Sequence, residues 1–240
     1  MRANLKKLIF DALFPPICIG CKKDLDESAA LLCEICQNTL IADPALHCSV
    51  CRRRLPFSTG GLPNSSNRCH PGGSHLIFSA GRYEHEVIRA LIWHLKFKHR
   101  TQAAAYLSKL ISQALISANI LLPDYTLTSI PLSDERLRKR GFNQAALIAK
   151  GVGLAHSLPT QEMLLRIKNS TPQSELASWD ERRVNIADSF RLCDPLNVQG
   201  KKIVVIDDVW TSGATMSEAA AILKKHGAAE VLAVVVARAK

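Results

Sequence analysis

The sequence lacks the features that mark membrane-spanning chains and the common nucleotide-binding motifs. No apolar run approaches the roughly eighteen residues of a transmembrane helix, so we expect no membrane span. A Gly-x-x-x-x-Gly-Lys-Ser/Thr loop is absent, which excludes a Walker-type phosphate site. Gly151-Val152-Gly153 is not a dinucleotide-binding fingerprint, because His156 stands where the third glycine belongs. Residues 1–16 lack a small-residue cleavage site, so we expect no signal peptide.

Cysteine is nearly absent from the C-terminal two thirds of the chain. Seven of the eight cysteines precede residue 70, and such clustering without a secretion signal favours metal binding over disulfides. Two C-x-x-C knuckles separated by eleven residues can place four thiolates tetrahedrally around one Zn²⁺. Four thiolates leave no open coordination position, so we expect a structural zinc, with free or oxidisable thiols as the alternative. The expected ligands are Cys18, Cys21, Cys33 and Cys36.

A third knuckle, Cys48-x-x-Cys51, has an incomplete partner. Cys69 stands alone, and Ser66 occupies the position three residues before it. We therefore expect a ribbon that has lost its second metal. The alternative is a Cys₃His site completed by a neighbouring histidine, which would be His47, His70 or His75.

The chain divides near residue 75, where a polar, turn-rich composition becomes apolar. We expect residues 1–74 to form an N-terminal helix and a cysteine-rich module, and residues 75–240 to form an α/β domain. A hydrophobic content of 47% supports a substantial core. Within residues 5–13 a short amphipathic helix is expected to pack on the body, with membrane-surface contact as the alternative.

The charge of the chain favours anionic partners, because its net value is +10 at pH 7. The basic triplet 52–54 is expected to be a solvated face, with nucleic-acid contact as the alternative. A helix predicted over Glu86–Phe97 ends in a basic cluster that includes Lys96 and contains two aromatic residues, Trp93 and Phe97. Basic residues interleaved with aromatic residues are typical of surfaces that bind single-stranded nucleic acid. We nevertheless expect the two rings to pack in the core, because they are four positions apart on one helix face.

The most informative stretch follows an apolar β-branched strand, Ile203–Ile206. Two carboxylates come next, Asp207 and Asp208, and small or hydroxylated residues 211–215 then lead into a helix. Backbone N–H groups at a helix N-terminus favour an anion, and paired carboxylates can accept hydrogen bonds from vicinal ribose hydroxyls. The pattern predicts a sugar-phosphate site; the alternative is an ordinary capped strand-to-helix turn.

A second basic segment lies upstream of this site. After a predicted strand, Thr126–Pro131, we expect a loop with a basic patch over residues 133–140. Arg136 and Arg140 would offer counter-charges to a diphosphate, with a capped helix start and a solvated basic run as the alternative. The polar span Leu165–Phe190 is expected to close over the ligand. Alternating strands and helices imply a mostly parallel sheet with the site at the carboxyl ends of its strands.

Several motifs carry a resemblance to known families. Val204–Thr215 resembles the phosphoribosyl-diphosphate signature of type I phosphoribosyltransferases, which is an apolar run, two acids, two further residues and T-[TS]-G-x-T. Over nearly its whole length the chain resembles the ComF family of competence proteins. The motifs are Leu13-Phe14-Pro15-Pro16, Leu95-Lys96-Phe97, Arg140-Gly141-Phe142-Asn143-Gln144 and, with altered spacing, Arg166, Thr171-Pro172-Gln173, Arg182 and Asn185.

The resemblance implies a type I phosphoribosyltransferase-like fold, a parallel sheet with helices on both faces, preceded by a small zinc-ribbon module. It implies that Asp207 and Asp208 are the catalytic pair and hold the ribose hydroxyls, with Mg²⁺ bridging ribose and diphosphate. The substrate-binding residues that it implies are Val209, Trp210, Thr211, Ser212, Gly213, Ala214, Thr215, Arg136, Arg140, Asn143 and Gln144.

The resemblance also implies a role in natural transformation, in which the protein would handle incoming single-stranded DNA in the cytoplasm at the inner membrane. The implied partners are phosphoribosyl diphosphate, the DNA-uptake machinery and a helicase-like competence protein. One alternative is an active salvage enzyme that joins a nucleobase to phosphoribosyl diphosphate. We find no segment that resembles the base-binding loops of such enzymes, and this favours the role in DNA uptake over the salvage reaction. A third hypothesis is a regulator that only binds the ligand.

Overall fold

The computed structural model describes residues 16–25, 30–58, 62–63, 69–70, 75–167 and 189–239. Its strands are β1 (Ala45–Cys48), β2 (Arg54–Leu55), β3 (Leu76–Arg82), β4 (Tyr125–Ser129), β5 (Leu164–Arg166), β6 (Phe190–Leu192), β7 (Lys202–Trp210) and β8 (Glu230–Arg238). Its α-helices are α1 (Glu34–Thr39), α2 (Glu86–Phe97), α3 (Ala103–Ser117), α4 (Asp134–Arg140), α5 (Gln144–His156) and α6 (Ala214–Lys225).

Six of the strands form one sheet in the order β2-β1-β3-β8-β7-β4. The four strands from β3 to β4 are parallel, and β1 and β2 extend the β3 edge in antiparallel orientation. The central strands β7 and β8 are nearly continuous runs of buried apolar residues, as expected where a parallel sheet is covered on both faces. Strands β5 and β6 form a separate antiparallel ribbon.

Helices cover both faces of the sheet, as the sequence predicts. On one face α2, α3 and α5 contribute to a core that includes Leu91, Leu107 and Ile148. On the other face α6 packs with the β5–β6 ribbon around Leu223 and Phe190. The parallel strands therefore direct their carboxyl ends to one edge, where ligands of open α/β sheets bind.

The cysteine-rich segment shares its core with the rest of the molecule. Leu32 and Leu46 belong to the same apolar cluster as α2 and α3, and β1 pairs directly with β3. The division of the chain at residue 75 remains a prediction. The predicted N-terminal helix falls wholly outside the described residues, as does most of the span predicted to close over the ligand. Among the helices in the described ranges, none has the length and hydropathy to cross a membrane.

Two local expectations are wrong. Residues 134–140 form helix α4 rather than a loop, because Ser133 accepts a hydrogen bond from Arg136 N at the helix start and Gly141 ends the helix at φ 75°. Trp93 and Phe97 are not core residues, since they are 44% and 56% exposed. The buried face of α2 is already filled by aliphatic residues, which leaves both rings on the outer face.

Candidate functional site

The paired carboxylates lie in the second half of β7, toward the carboxyl edge of the sheet. Asp207 is partly buried, and its Oδ1 accepts a hydrogen bond of 2.8 Å from the backbone N–H of Asp208. Burial, followed by repulsion from Asp208, raises the pKa of Asp207 to about 7, although the Lys96 ammonium acts in the opposite direction. The Asp207 carboxyl is therefore poised between its neutral and ionised forms near neutral pH.

Asp208 is buried and held through both of its oxygens. Lys96 Nζ donates to Oδ1 at 2.8 Å, and Gln144 Nε2 donates to Oδ2 at 3.1 Å. Gln144 Oε1 in turn accepts a hydrogen bond of 2.9 Å from Arg140 Nη1. These contacts join the end of α2, the start of α5 and strand β7 into one polar chain.

Three arginines gather beside the carboxylates. Burial is the largest cause that lowers the pKa of Arg140, and repulsion from Arg136 adds to it. The same two causes lower the pKa of Arg166 to about 10, with attraction from Asp207 acting against them. Arg136 thus repels both Arg140 and Arg166, while Asp208 attracts Arg140; three guanidinium groups gathered in this way suit a polyanion such as a diphosphate.

The segment between β7 and α6 forms a turn with the features of an anion cradle. Gly213 adopts φ 81°, a left-handed conformation that favours glycine, and a Cβ there would lie 2.7 Å from the indole nitrogen of Trp210. Helix α6 begins at Ala214, and the N-terminus of a helix favours an anion such as a phosphate. Ala214 N donates to Ser212 Oγ at 3.4 Å, and the helix ends at Lys225, shortly before Gly227.

Four cysteine sulfurs converge in the N-terminal segment. Those of Cys18, Cys21, Cys33 and Cys36 lie within 4.8 Å of one another. Burial acts to raise the pKa of Cys18, but hydrogen bonds from the N–H groups of Cys21, Cys33 and Gly20 lower it to about 6. Sulfurs at this separation, with a thiolate supported by knuckle amides, fit a tetrahedral Zn²⁺ site.

A second ligand group is also assembled, contrary to the expectation of a degenerate ribbon. Cys48, Cys51, Cys69 and His70 place one ligand atom each within 4.8 Å of the others. The Cys51 and Cys69 sulfurs are 3.4 Å apart, and Cys48 Sγ lies 3.5 Å from His70 Nδ1. The geometry therefore supports the Cys₃His alternative with His70 as the fourth ligand. His47 instead lies against the Trp210 ring, at 5.0 Å between ring centroids.

The structure brings most of the predicted site residues to this edge of the sheet, but their surroundings differ. Asp207, Asp208, Arg140 and Gln144 are linked as described above. Asn143 uses both ends of its amide structurally, donating to Ile130 O and accepting from Ala145 N. The other predicted residues that are buried or partly buried are Val209, Trp210, Ser212, Gly213, Ala214, Thr215 and Arg136, while Thr211 is exposed.

Sequence reasoning missed Lys96 as a member of the site. Its motif, Leu95-Lys96-Phe97, is visible in the sequence, but the basic cluster around it suggests a solvated or DNA-binding surface. Only the folded chain shows that Lys96 reaches a carboxylate 112 residues away.

The chain is similar in sequence to several known proteins. Residues 139–240 match the phosphoribosyl transferase domain family. The DNA utilization protein YhgH of Salmonella typhimurium is 36% identical over 148 residues, which cover 59% of this chain and 63% of that protein. Competence protein F of Haemophilus influenzae is 28% identical, covering 61% and 66% of the two chains. Competence protein ComFC of Bacillus subtilis is 36% identical, covering 44% and 40%.

Among solved structures, the allosteric regulatory enzyme of purine biosynthesis is similar over 57% of this chain and 25% of its own, with 20% identity and a TM-score of 0.37. The chain spans less than two thirds of the length of the YhgH proteins that it matches. The chain therefore contains a segment that matches the phosphoribosyl transferase domain family, and it is similar in sequence to proteins named DNA utilization protein YhgH, competence protein F and competence protein ComFC.

Proposed function

We propose that this protein binds phosphoribosyl diphosphate together with Mg²⁺ and acts in the handling of incoming single-stranded DNA during natural transformation. The observation that carries the ligand assignment is the carboxylate pair in the second half of β7, with a glycine-containing helix start on one side and the basic side chains of Arg136, Arg140 and Arg166 beside it. The names of the relatives, competence protein and DNA utilization protein, support the cellular role.

Each part of the ligand has a complementary part of the site. The N–H groups at the start of α6 would receive the 5′-phosphate. Asp207 has one oxygen, Oδ2, without a partner among the described residues, and it would accept a ribose hydroxyl. The diphosphate would lie against Arg140, Arg136 and Arg166, and its charge would offset the repulsion that Arg136 exerts on the other two arginines.

The site's charges also fit a divalent cation. Mg²⁺, when bound, would neutralise diphosphate charge and stabilise the charge that develops on a departing diphosphate. Asp207 and Asp208 are oxygen ligands of the kind that Mg²⁺ prefers. The Lys96 ammonium forms an ion pair with Asp208 and would compensate the negative charge of that carboxylate until a ligand arrives.

The exposed aromatic patch at the end of α2 supports contact with single-stranded DNA. Trp93 and Phe97 have ring centroids 6.1 Å apart. Lys98 Nζ lies 5.1 Å from the Trp93 ring, and the Arg140 guanidinium lies 5.5 Å from the Phe97 ring. Exposed rings flanked by cations can stack bases while the cations attract the backbone. Because Arg140 also belongs to the diphosphate site, the patch borders that site directly.

The ligand assignment is tested by calorimetry with phosphoribosyl diphosphate and Mg²⁺. Replacing both Asp207 and Asp208 with alanine should abolish binding while the far-ultraviolet circular dichroism stays that of a folded α/β protein. Asp134→Ala is the matched control, because Asp134 is an exposed carboxylate on α4 and should leave affinity unchanged. Undiminished binding by the double variant would refute the assignment.

The DNA assignment is tested by titrating labelled single-stranded DNA at two salt concentrations. Binding should weaken as the salt concentration rises, because it depends on the attraction of lysine and arginine side chains to the DNA backbone. Trp93→Ala with Phe97→Ala should reduce affinity by about tenfold or more at both salt concentrations, since stacking contributes about 1–3 kcal/mol per base. Leu154→Ala removes a similarly exposed apolar side chain from α5 and is the control. Equal losses in both variants would argue against stacking.

Turnover is a separate question from binding. If the protein is an active phosphoribosyltransferase of salvage, incubation with nucleobases should release inorganic diphosphate in amounts equal to the nucleotide formed. We further propose a cytoplasmic location at the inner membrane, with contacts to the DNA-uptake machinery and to a helicase-like competence protein. Cross-linking in competent cells would test those contacts.

A further inference from the structure

The knuckle that carries Cys48 and Cys51 contacts the turn between β7 and α6, residues 211–213, which we call the phosphate-binding turn; the contacting residues, Arg52 and Ser212, are 160 positions apart in sequence. Residues 48–53 form the knuckle that connects β1 to β2. From this knuckle, Arg52 Nη2 donates a hydrogen bond of 2.6 Å to the backbone carbonyl of Ser212. The bond engages a carbonyl oxygen and uses none of the N–H groups of residues 211–215.

A second contact reaches the same turn from the other side of the knuckle. His47, which directly precedes Cys48, packs its ring against Trp210 at 5.0 Å between centroids. The Trp210 indole nitrogen would lie 2.7 Å from a Cβ at Gly213, so the ring is packed against the glycine of the turn. His47 and Arg52, which flank the two cysteines of the knuckle, thus contact Trp210, just before the turn, and Ser212, within it.

The position of Arg52 depends on the knuckle's backbone. Arg52 has φ 60°, an unfavourable value for a residue with a side chain, and its N–H donates to Cys48 O at 2.9 Å. The first knuckle repeats this geometry, since Lys22 has φ 67° and its N–H donates to Cys18 O at 2.9 Å. The shared geometry belongs to the C-x-x-C turn, which a metal ion fixes through its two sulfurs.

The two side chains then diverge. Lys22 Nζ folds back onto the carbonyl of Ile19 in its own knuckle, at 3.0 Å. Arg52 extends away from its knuckle to the phosphate-binding turn. The backbone fold of the knuckle alone therefore does not dictate the Arg52 contact.

We propose that the group Cys48, Cys51, Cys69 and His70 binds a metal ion that braces the phosphate-binding turn, and that Arg52 is the positioning residue that transmits this brace. The proposal rests on the proposed function, since it makes the affinity for phosphoribosyl diphosphate depend on metal at this group. Metal would fix the knuckle backbone, the knuckle would fix Arg52, and Arg52 would hold the Ser212 carbonyl so that the neighbouring N–H groups converge on the phosphate.

The first test compares two adjacent arginines. Arg52→Ala should weaken binding of phosphoribosyl diphosphate by about tenfold, as expected for loss of a hydrogen bond from a charged donor. Arg53→Ala removes the same charge from an exposed neighbour and should change affinity by less than about twofold. Both variants should retain the metal content of the wild type, because neither residue is a ligand. Equal effects of the two substitutions would overturn the role of Arg52.

The second test removes the metal. Cys69→Ser should lose one equivalent of metal relative to the wild type and should bind phosphoribosyl diphosphate as weakly as Arg52→Ala does. Combining Cys69→Ser with Arg52→Ala should cause no further loss, because both changes break the same connection. A Cys69→Ser variant that loses metal but keeps wild-type affinity would refute the coupling, and so would fully additive losses.

A third readout needs no ligand. Hydrogen exchange at the amides of residues 211–215 should be faster in Arg52→Ala and Cys69→Ser than in the wild type, and unchanged in Arg53→Ala. Unchanged exchange in all three variants would refute the brace. If the wild type fails to bind phosphoribosyl diphosphate, the proposed function is wrong, whereas the exchange comparison still decides whether the knuckle holds the turn. Arg52→Ala alters no metal ligand, so the test remains decisive if Cys69→Ser does not fold.

Discussion

The adjacent carboxylates Asp207 and Asp208 should respond in opposite directions to the same substitution. Asp207 has no cationic partner within hydrogen-bonding distance among the described residues, and its pKa is raised by burial and by Asp208. Asp208 is paired with Lys96 at 2.8 Å. Asparagine preserves the shape of either side chain and removes its charge. Asp207→Asn should therefore stabilise the free protein, and Asp208→Asn should destabilise it.

The magnitude for Asp207 follows from its pKa, which rises from 3.8 to about 7 on folding. Between these values the folded protein binds a proton that the unfolded chain has released, so the stability of the fold decreases as pH rises through this window. The decrease is about 1.4 kcal/mol per pH unit and ceases above about pH 7. At pH 8, Asp207→Asn should raise the free energy of unfolding by at most about 4 kcal/mol. This increase should be about 1.4 kcal/mol larger at pH 8 than at pH 6.

The magnitude for Asp208 comes from the partner that it leaves behind. Lys96 is only 22% exposed at its side chain, so its ammonium would lose its counter-charge in a poorly hydrated position. Leaving a buried charged group without its partner costs about 1–3 kcal/mol or more. Gln144 can still donate to the asparagine oxygen, which limits the loss.

The assay is urea unfolding at pH 6 and pH 8 with a fixed excess of zinc, followed by circular dichroism. Asp134→Asn is the control, because it removes an exposed charge from α4 and cancels general effects of pH on the metal sites. Both Asp207→Asn and Asp208→Asn should lose binding of phosphoribosyl diphosphate. If Asp207→Asn shows no larger gain at pH 8 than at pH 6, relative to the control, the burial argument for Asp207 is wrong.

Three further predictions concern separate parts of the molecule. Gly213→Ala should destabilise the fold by about 1–3 kcal/mol and weaken ligand binding, because φ 81° is strained for alanine and its Cβ would meet the Trp210 indole at 2.7 Å; urea unfolding and calorimetry measure the two effects. Cys33→Ser should remove one metal equivalent and leave the second, and metal analysis showing both retained would contradict the four-sulfur site. Lys96→Met should shift the pH at which ligand binding is half-maximal upward, because Lys96 lowers the pKa of Asp207; an unchanged profile from pH 6 to pH 9 would contradict that role.

The features that could be predicted from the sequence are those set by neighbours along the chain. Strand β7, its two carboxylates and the glycine turn before α6 form one continuous motif, and each C-x-x-C knuckle needs only four consecutive residues. Helix α2 was predicted at its observed bounds, because its apolar periodicity is strong. The chemistry of the candidate site could therefore be proposed before any long-range contact was known.

The features that could not be predicted depend on which surfaces meet. Apolar spacing placed Trp93 and Phe97 on a helix, but it did not show that aliphatic residues would fill the buried face first. The ion pair of Lys96 with Asp208 joins residues from two elements that the sequence does not relate. The contact of Arg52 with Ser212 is of the same kind, and the basic triplet that contains Arg52 gave no sign of it.

The occupied state of Asp208 constrains how a ligand enters the site. Each of its oxygens accepts a hydrogen bond from this chain, so a ribose hydroxyl must either share an oxygen with Lys96 or Gln144 or displace one of them. Gln144 also accepts from Arg140, which belongs to the group of arginines proposed to face the diphosphate. A diphosphate that draws Arg140 toward itself would free the Gln144 amide oxygen and loosen its hold on Asp208. The two ends of the site are thus linked through one side chain, and binding at the diphosphate end should prepare the ribose end.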